Sequence, residues 1–198
     1  MVLLFEIIGV IAYAVSGAML GIKKKMDIFG VIMLGLTTAT GGGLIRDIII
    51  GVNPPVVFQH PVYAIVAVIV SIIVFLPWVY KRIDVDGTII MVLDAIGLGA
   101  FVVVGVKAGI PYDNAFMSAF LGVITGVGGG LLRDILAGDI PSIFVRHFYA
   151  CAAIIGAIVC VALWHVGEIP AMIIGAVTVT VLRVLAATFK WNLPKHDD

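Results

Sequence analysis

Seven long apolar stretches alternate with short polar breaks along the chain. The stretches run over about 3–22, 28–50, 62–80, 88–107, 115–137, 148–166 and 170–189. The breaks are Lys23-Lys24-Lys25 with Asp27, Asn53-Pro54-Pro55, and Lys81-Arg82 with Asp84 and Asp86. Then come Pro111 with Asp113, Asp139 with Pro141, and Gly167-Glu168-Ile169-Pro170. A helix that crosses a bilayer needs about 20 mostly apolar residues, which each stretch approximates. Strands of a membrane β-barrel would be about ten residues long with strict alternation, and these runs do not alternate. The pattern predicts an all-α polytopic membrane protein with seven transmembrane helices. The loops are too short for a soluble domain, so residues 1–198 read as one membrane domain.

Composition agrees. Hydrophobic residues make up 62% of the chain and charged residues 12%, and mean hydropathy is +1.22. Ordinary soluble domains are about 45–50% apolar and about 25% charged. Surface falls too slowly with size for a soluble protein this small to hide so much apolar area. A soluble enzyme, a nucleic-acid binder and a disordered chain are excluded. The formal net charge is zero, so the placement of charge is more informative than its sum. With the N-terminus outside, Lys23, Lys24, Lys25, Lys81, Arg82, Arg146, Lys190 and Lys195 fall on the cytoplasmic side, and Lys107 falls outside. The positive-inside rule therefore predicts an N-out/C-in orientation. The first stretch lacks a basic n-region and an Ala-x-Ala site, so it reads as a span rather than a signal peptide. Cys151 and Cys160, nine residues apart in one apolar run, lie about 13 Å apart on a helix. They cannot bridge each other and read as buried small residues.

The chain repeats itself. Gly41-Gly42-Gly43-Leu44-Ile45-Arg46-Asp47 returns 87 positions later as Gly128-Gly129-Gly130-Leu131-Leu132-Arg133-Asp134. Gly51, Pro54 and His60 answer to Gly138, Pro141 and His147; with one residue of slip, Glu6, Gly9 and Gly17 answer to Asp94, Gly97 and Gly105. Each copy holds three spans, repeat 1 over about 3–80 and repeat 2 over about 88–166. Three is odd, so the second copy enters the membrane from the opposite side. This is a 3+3 inverted repeat with a seventh helix over about 170–189. Such repeats are typical of transport proteins, with the pathway at their interface.

Three consecutive glycines weaken a helix by about 1 kcal/mol each relative to alanine. In lipid, a broken helix is tolerated only against protein or a water-filled cavity. The glycines also suit close helix packing. Their occurrence in both copies beside Arg-Asp favours two broken helices that line a path, with Thr38 and Thr125 next to the breaks. Depth along the spans predicts the ion pairs Glu6–Arg46 and Asp94–Arg133, one toward each end. Adjacent helical residues project about 100° apart, which leaves Asp47 and Asp134 free to face the path. Ser16 and Tyr13 on the first span are further candidates to line it. His60 and His147 have no second ligand at helical spacing, so neither a metal site nor a cofactor is expected. A serine-protease reading of Ser16 with His147 or His165 fails, because their expected depths keep nucleophile and base apart.

These features resemble the prokaryotic members of the trimeric intracellular cation (TRIC) channel family. The likeness covers essentially residues 1–190 and rests on the doubled Gly-Gly-Gly-x-x-Arg-Asp. It implies a homotrimer with one potassium-permeable pore per subunit, kinked at Gly41, Gly42, Gly43, Gly128, Gly129 and Gly130. Arg46, Asp47, Arg133 and Asp134 would complete the motif. It also implies the plasma (inner) membrane of a prokaryote, membrane lipid as the surroundings, and no nucleic-acid partner. Animal members carry a lysine-containing variant tied to phosphoinositide binding, where this chain has Arg-Asp. Bacterial proteins of the same broad family have been proposed to import glycine, so a small-solute transporter on the same repeat is the alternative.

Overall fold

The computed structural model describes residues 2–83, 88–145 and 148–191. Asp84, Asp86, Arg146, His147 and Lys195, which entered the charge and repeat arguments, lie outside the described residues. The described chain forms α1 (Val2–Lys23), α2 (Ile28–Ile49), α3 (Val56–Gln59), α4 (Val62–Phe75) and α5 (Pro77–Ile83). It continues with α6 (Thr88–Gly109), α7 (Ala115–Leu136), α8 (Ser142–Val145), α9 (Tyr149–Ala162) and α10 (Glu168–Thr188). Among the described residues, six helical segments are long and apolar enough to cross a membrane, and α4 with α5 would make a seventh. The protein is an all-helical polytopic membrane protein.

The third span departs from expectation. It is not one rod over 62–80: α4 and α5 meet at 88°. Leu76 sits in the extended region at ψ 127°, because the ring of Pro77 disfavours a helical conformation in the residue before it. The other spans start and stop where the polar breaks lie. Asp27 caps α2 by accepting the Gly30 N–H at 2.8 Å. Asn114 caps α7 by accepting the Met117 N–H at 3.0 Å. Each satisfies a backbone donor that the helix itself leaves free.

The two halves share more than the motif. α1 and α6 each span 22 residues, as do α2 and α7. α3 and α8 each span four, and α4 and α9 fourteen. α2 and α7 also end alike. Gly51 and Gly138 both take φ +73°, and the next N–H reaches back to Asp47 O and Asp134 O, each at 2.9 Å. Nothing stands within 4 Å of a Cβ at either glycine, so the requirement is conformational: only glycine enters the left-handed region cheaply at this helix end.

α6 lies at the centre, packed against α1, α7, α9 and α10, and every residue from Gly97 to Val106 is buried. A helix apolar on all sides belongs in such a position. Two helix pairs then cross reciprocally. In α1 against α6, the Tyr13 ring lies over Gly97 and the Phe101 ring over Gly9. In α2 against α7, a methyl on Gly42 would strike the Thr125 carbonyl oxygen, and one on Gly129 would strike that of Thr38.

This geometry corrects the expected helix breaks. α2 and α7 remain helical through Gly41–Gly43 and Gly128–Gly130. Gly42, Gly128 and Gly129 remove side chains where two backbones touch. Gly41 lies against Leu132, Gly128 against Gly42, and Gly130 against the Tyr149 hydroxyl. The packing role of small residues outweighs their weak helix propensity.

Candidate permeation pathway

Each half gathers four polar side chains from equivalent helices. In the first half, Arg46 on α2 donates from Nε and Nη2 to Asp47 Oδ1, at 2.9 and 2.7 Å. The other Asp47 oxygen accepts the Val56 N–H at the start of α3, at 2.8 Å. Glu6 on α1 accepts the Tyr63 hydroxyl of α4 at 2.5 Å. In the second half, Arg133 on α7 donates from Nε to Asp134 Oδ1 at 2.9 Å. Its Nη1 reaches Asp94 Oδ1 on α6 and Ser16 Oγ on α1, both at 2.6 Å. Asp134 Oδ2 accepts the Ser142 N–H at the start of α8, at 2.7 Å. Tyr149 on α9 completes this group. Both arginines and all three aspartates are buried, where a charge is tolerated only when paired and hydrogen-bonded.

The expected Asp94–Arg133 pair is present. The expected Glu6–Arg46 pair is replaced: Arg46 bonds to its own neighbour, and Glu6 takes Tyr63. Asp47 and Asp134 are not free either. The 100° between adjacent helical positions does not separate them, because an arginine side chain is long enough to fold back. Each aspartate then spends its second oxygen on the loop that follows the helix.

A cavity adjoins each group. The first, about 50 Å³, is lined by Glu6, Arg46, Asp47, Tyr63, Thr40, Gly43 and Thr125, with Val10, Phe101 and Val104 on its apolar side. That volume accommodates water-sized occupants. The second, about 560 Å³, is lined by Ser16, Lys23, Asp94, Arg133, Asp134, Asp139 and Arg183 among others. Lys24 pairs with Asp139 beside it at 2.5 Å.

Three helices run from one cavity to the other. On α1, Glu6 and Val10 line the first, and Ser16 and Leu20 the second. On α6, Phe101 and Val104 line the first, and Asp94 the second. On α7, Thr125 lines the first and Arg133 the second, eight residues and about 12 Å apart. Tyr13 stands between them, fully buried. Its hydroxyl donates to the Gly126 carbonyl oxygen at 2.7 Å and lies 3.4 Å from the Tyr149 hydroxyl. The Phe101 ring centroid is 5.2 Å from that of Tyr13.

Of the six motif glycines, Gly43 lines one of these two cavities; the others serve the helix crossings. The hydroxyls of Thr38 and Thr125 donate to Leu34 O and Leu121 O of their own helices, at 2.5 and 2.6 Å. Thr38 sits in the α1–α2 contact against Gly17, whereas Thr125 borders the first cavity. Tyr63, Tyr149 and Arg183 were missed in the sequence. The tyrosines follow the repeated loop histidines by two or three positions, which was a usable signal. Arg183 is a charge inside the seventh span, and such residues are functional candidates by default.

Two buried charged clusters, each beside a cavity, thus sit within a helical membrane bundle. A family model described as "Glycine transporter" matches residues 3–78 and 91–165, one stretch in each half. The inner membrane protein YadS of Escherichia coli, of the UPF0126 group, is 37% identical over 193 residues, which are 96% of this chain and 93% of YadS. Among solved structures, a chain from work on conductance through TRIC cation channels superposes with TM-score 0.89 at 37% identity, covering 98% of this chain and 97% of that one. The TRIC orthologue of Rhodobacter sphaeroides gives 0.89 at 30% identity, covering 96% and 98%. The chain belongs to this family, the UPF0126 membrane proteins or prokaryotic TRIC family.

Proposed function

We propose that the protein is a potassium-permeable cation channel of a prokaryotic plasma membrane, with one path through each subunit of a homotrimer. The observation that carries this reading is a pair of cavities, each beside a buried charged group, with the buried ring of Tyr13 between them. In the fold proposed with it, α1–α5 and α6–α9 form an inverted 3+3 repeat in an N-out/C-in orientation, and α10 is appended. The reciprocal crossings support that repeat, since only a two-fold relation puts Tyr13 over Gly97 and Phe101 over Gly9 together. The solved neighbours support the channel and the trimer, being TRIC trimeric intracellular cation channels.

The chemistry is consistent with cation passage. Two carboxylates, Glu6 and Asp47, line the first cavity against one guanidinium, Arg46. Charge in a low-dielectric cavity acts strongly on a passing ion, and rings of carboxylates select cations. Arg133, which would repel cations if bare, is neutralised by Asp94 and Asp134. α2 and α7 both contribute walls, from Thr40 to Asp47 and from Thr125 to Asp134. Opening requires Tyr13 to leave its place between the cavities.

One observation favours a second reading. The second cavity presents Lys23, Arg133 and Arg183 with Asp94, Asp134 and Asp139, a mixed lining that suits a zwitterion such as glycine. Proteoliposomes distinguish the two. A channel gives potassium efflux that rises without saturation and ignores external glycine. A carrier gives saturable uptake of labelled glycine.

A further inference from the structure

The two ends of the path are equivalent in design but not in chemistry. Where α1 carries Tyr13, the equivalent position of α6 carries Phe101, which has no hydroxyl. The hydroxyl is what ties the aromatic layer to Gly126 and brings it to Tyr149. In the first half a tyrosine one position further along the equivalent helix, Tyr63, is occupied by Glu6 instead. The closure is therefore built from one side only.

α10 lies outside the repeat and has no counterpart in the first half. It packs along α6 and α9 and places Arg183 over the face of Tyr149, with the guanidinium carbon 4.7 Å from the ring centroid. Arg183 is buried and borders the second cavity. A guanidinium on an aromatic face is held by the ring quadrupole, more strongly when water is excluded. The chain of contacts runs from Arg183 to the Tyr149 ring, from the Tyr149 hydroxyl to that of Tyr13, and from there to Gly126.

We infer that Arg183 is a positioning residue for closure: it holds Tyr149 beside Tyr13 and so keeps the path shut from the second cavity. This rests on the channel reading above. α10 then acts as a control element appended to a symmetric pore, and movement of α10 along α9 shifts the balance between shut and open.

The test compares wild type with Arg183→Gln, Arg183→Lys and Tyr149→Leu in planar bilayers. Size-exclusion profile and melting temperature serve as folding controls. Arg183→Gln and Tyr149→Leu should each raise the open-to-closed ratio by about 2- to 30-fold, the range a cation–π contact commands. Arg183→Lys should restore most of the closure, and the double variant should add little to either single change. A second measurement reads Tyr149 without any current, using 3-fluorotyrosine at that position and fluorine NMR in nanodiscs. Wild type should give one resonance, and Arg183→Gln should add a second, exchanging one. An unchanged spectrum in folded Arg183→Gln overturns the inference. So does a changed spectrum with a wild-type open-to-closed ratio. Wild-type bilayers without currents would instead overturn the channel reading, while the spectrum still decides whether Arg183 holds Tyr149.

Discussion

Arg133 Nη1 lies 2.6 Å from Asp94 Oδ1, and the same guanidinium holds Asp134 and Ser16, so one side chain joins α1, α6 and α7. Removing one partner of a buried ion pair leaves an uncompensated charge and costs about 3–5 kcal/mol. Arg133→Met should therefore lower the yield and the melting temperature of the purified protein. Adding Asp94→Asn to that variant should recover part of the loss. Thermal unfolding in detergent checks both; a melting point equal to wild type for Arg133→Met would show that the pair is not structural.

The motif glycines differ in the room they leave for a methyl. Gly42→Ala and Gly129→Ala drive a methyl into a backbone carbonyl across the α2–α7 crossing. Overpacking of this kind costs about 1–3 kcal/mol. At Gly43 the nearest atom to a built Cβ is an Arg46 nitrogen at 3.8 Å, so Gly43→Ala should be tolerated and should stiffen α2 by about 1 kcal/mol. Melting temperatures of the three variants should rank Gly43→Ala at or above wild type and the other two below it.

Tyr13→Phe keeps the ring over Gly97 and removes the bonds at its hydroxyl. A neutral hydrogen bond contributes about 0.5–1.5 kcal/mol net. The open-to-closed ratio should rise about 2- to 10-fold, with unitary conductance unchanged, in single-channel records. A fall in conductance alone would place Tyr13 in the wall of the path rather than across it.

Glu6 supplies one of two carboxylates beside Arg46 in the first cavity. Glu6→Gln leaves one negative and one positive group there. The potassium-to-chloride permeability ratio should fall by at least about twofold, as expected for loss of a charge in a weakly screened cavity. The shift of reversal potential under a KCl gradient measures it. Glu168→Gln, at the half-exposed pair with Lys107 that lines neither cavity, should leave the ratio within error, because exposed pairs act weakly.

The spans were legible because lipid imposes a simple rule of length and polarity, and α1, α2, α6 and α7 begin or end within two residues of the expected bounds. The bend at Leu76 was also written in the chain, in Pro77, but hydropathy averages over a single proline. The Asp94–Arg133 pair followed from depth alone. The partners of Arg46 and Glu6 did not. Arginine reach and the two oxygens of a carboxylate allow several pairings, and the turn after α2 decides among them by presenting the Val56 N–H to Asp47. The role of the glycines was hidden for a related reason. A local sequence reports the weakness of a helix but not the neighbour that presses against it, and Thr125 lies far from Gly42 in the chain. Tyr13 was visible as a candidate to line the path. Its place between the two cavities depends on Gly97, Gly126 and Tyr149, which only the fold brings together.

As a channel, the protein must pass cations between the two cavities. Single-channel recording of the purified protein in a planar bilayer under a KCl gradient tests it most directly. Discrete unitary currents that reverse near the potassium equilibrium potential are the expected result. Folded protein that gives no unitary currents while taking up glycine saturably, or currents that reverse near the chloride potential, would contradict it.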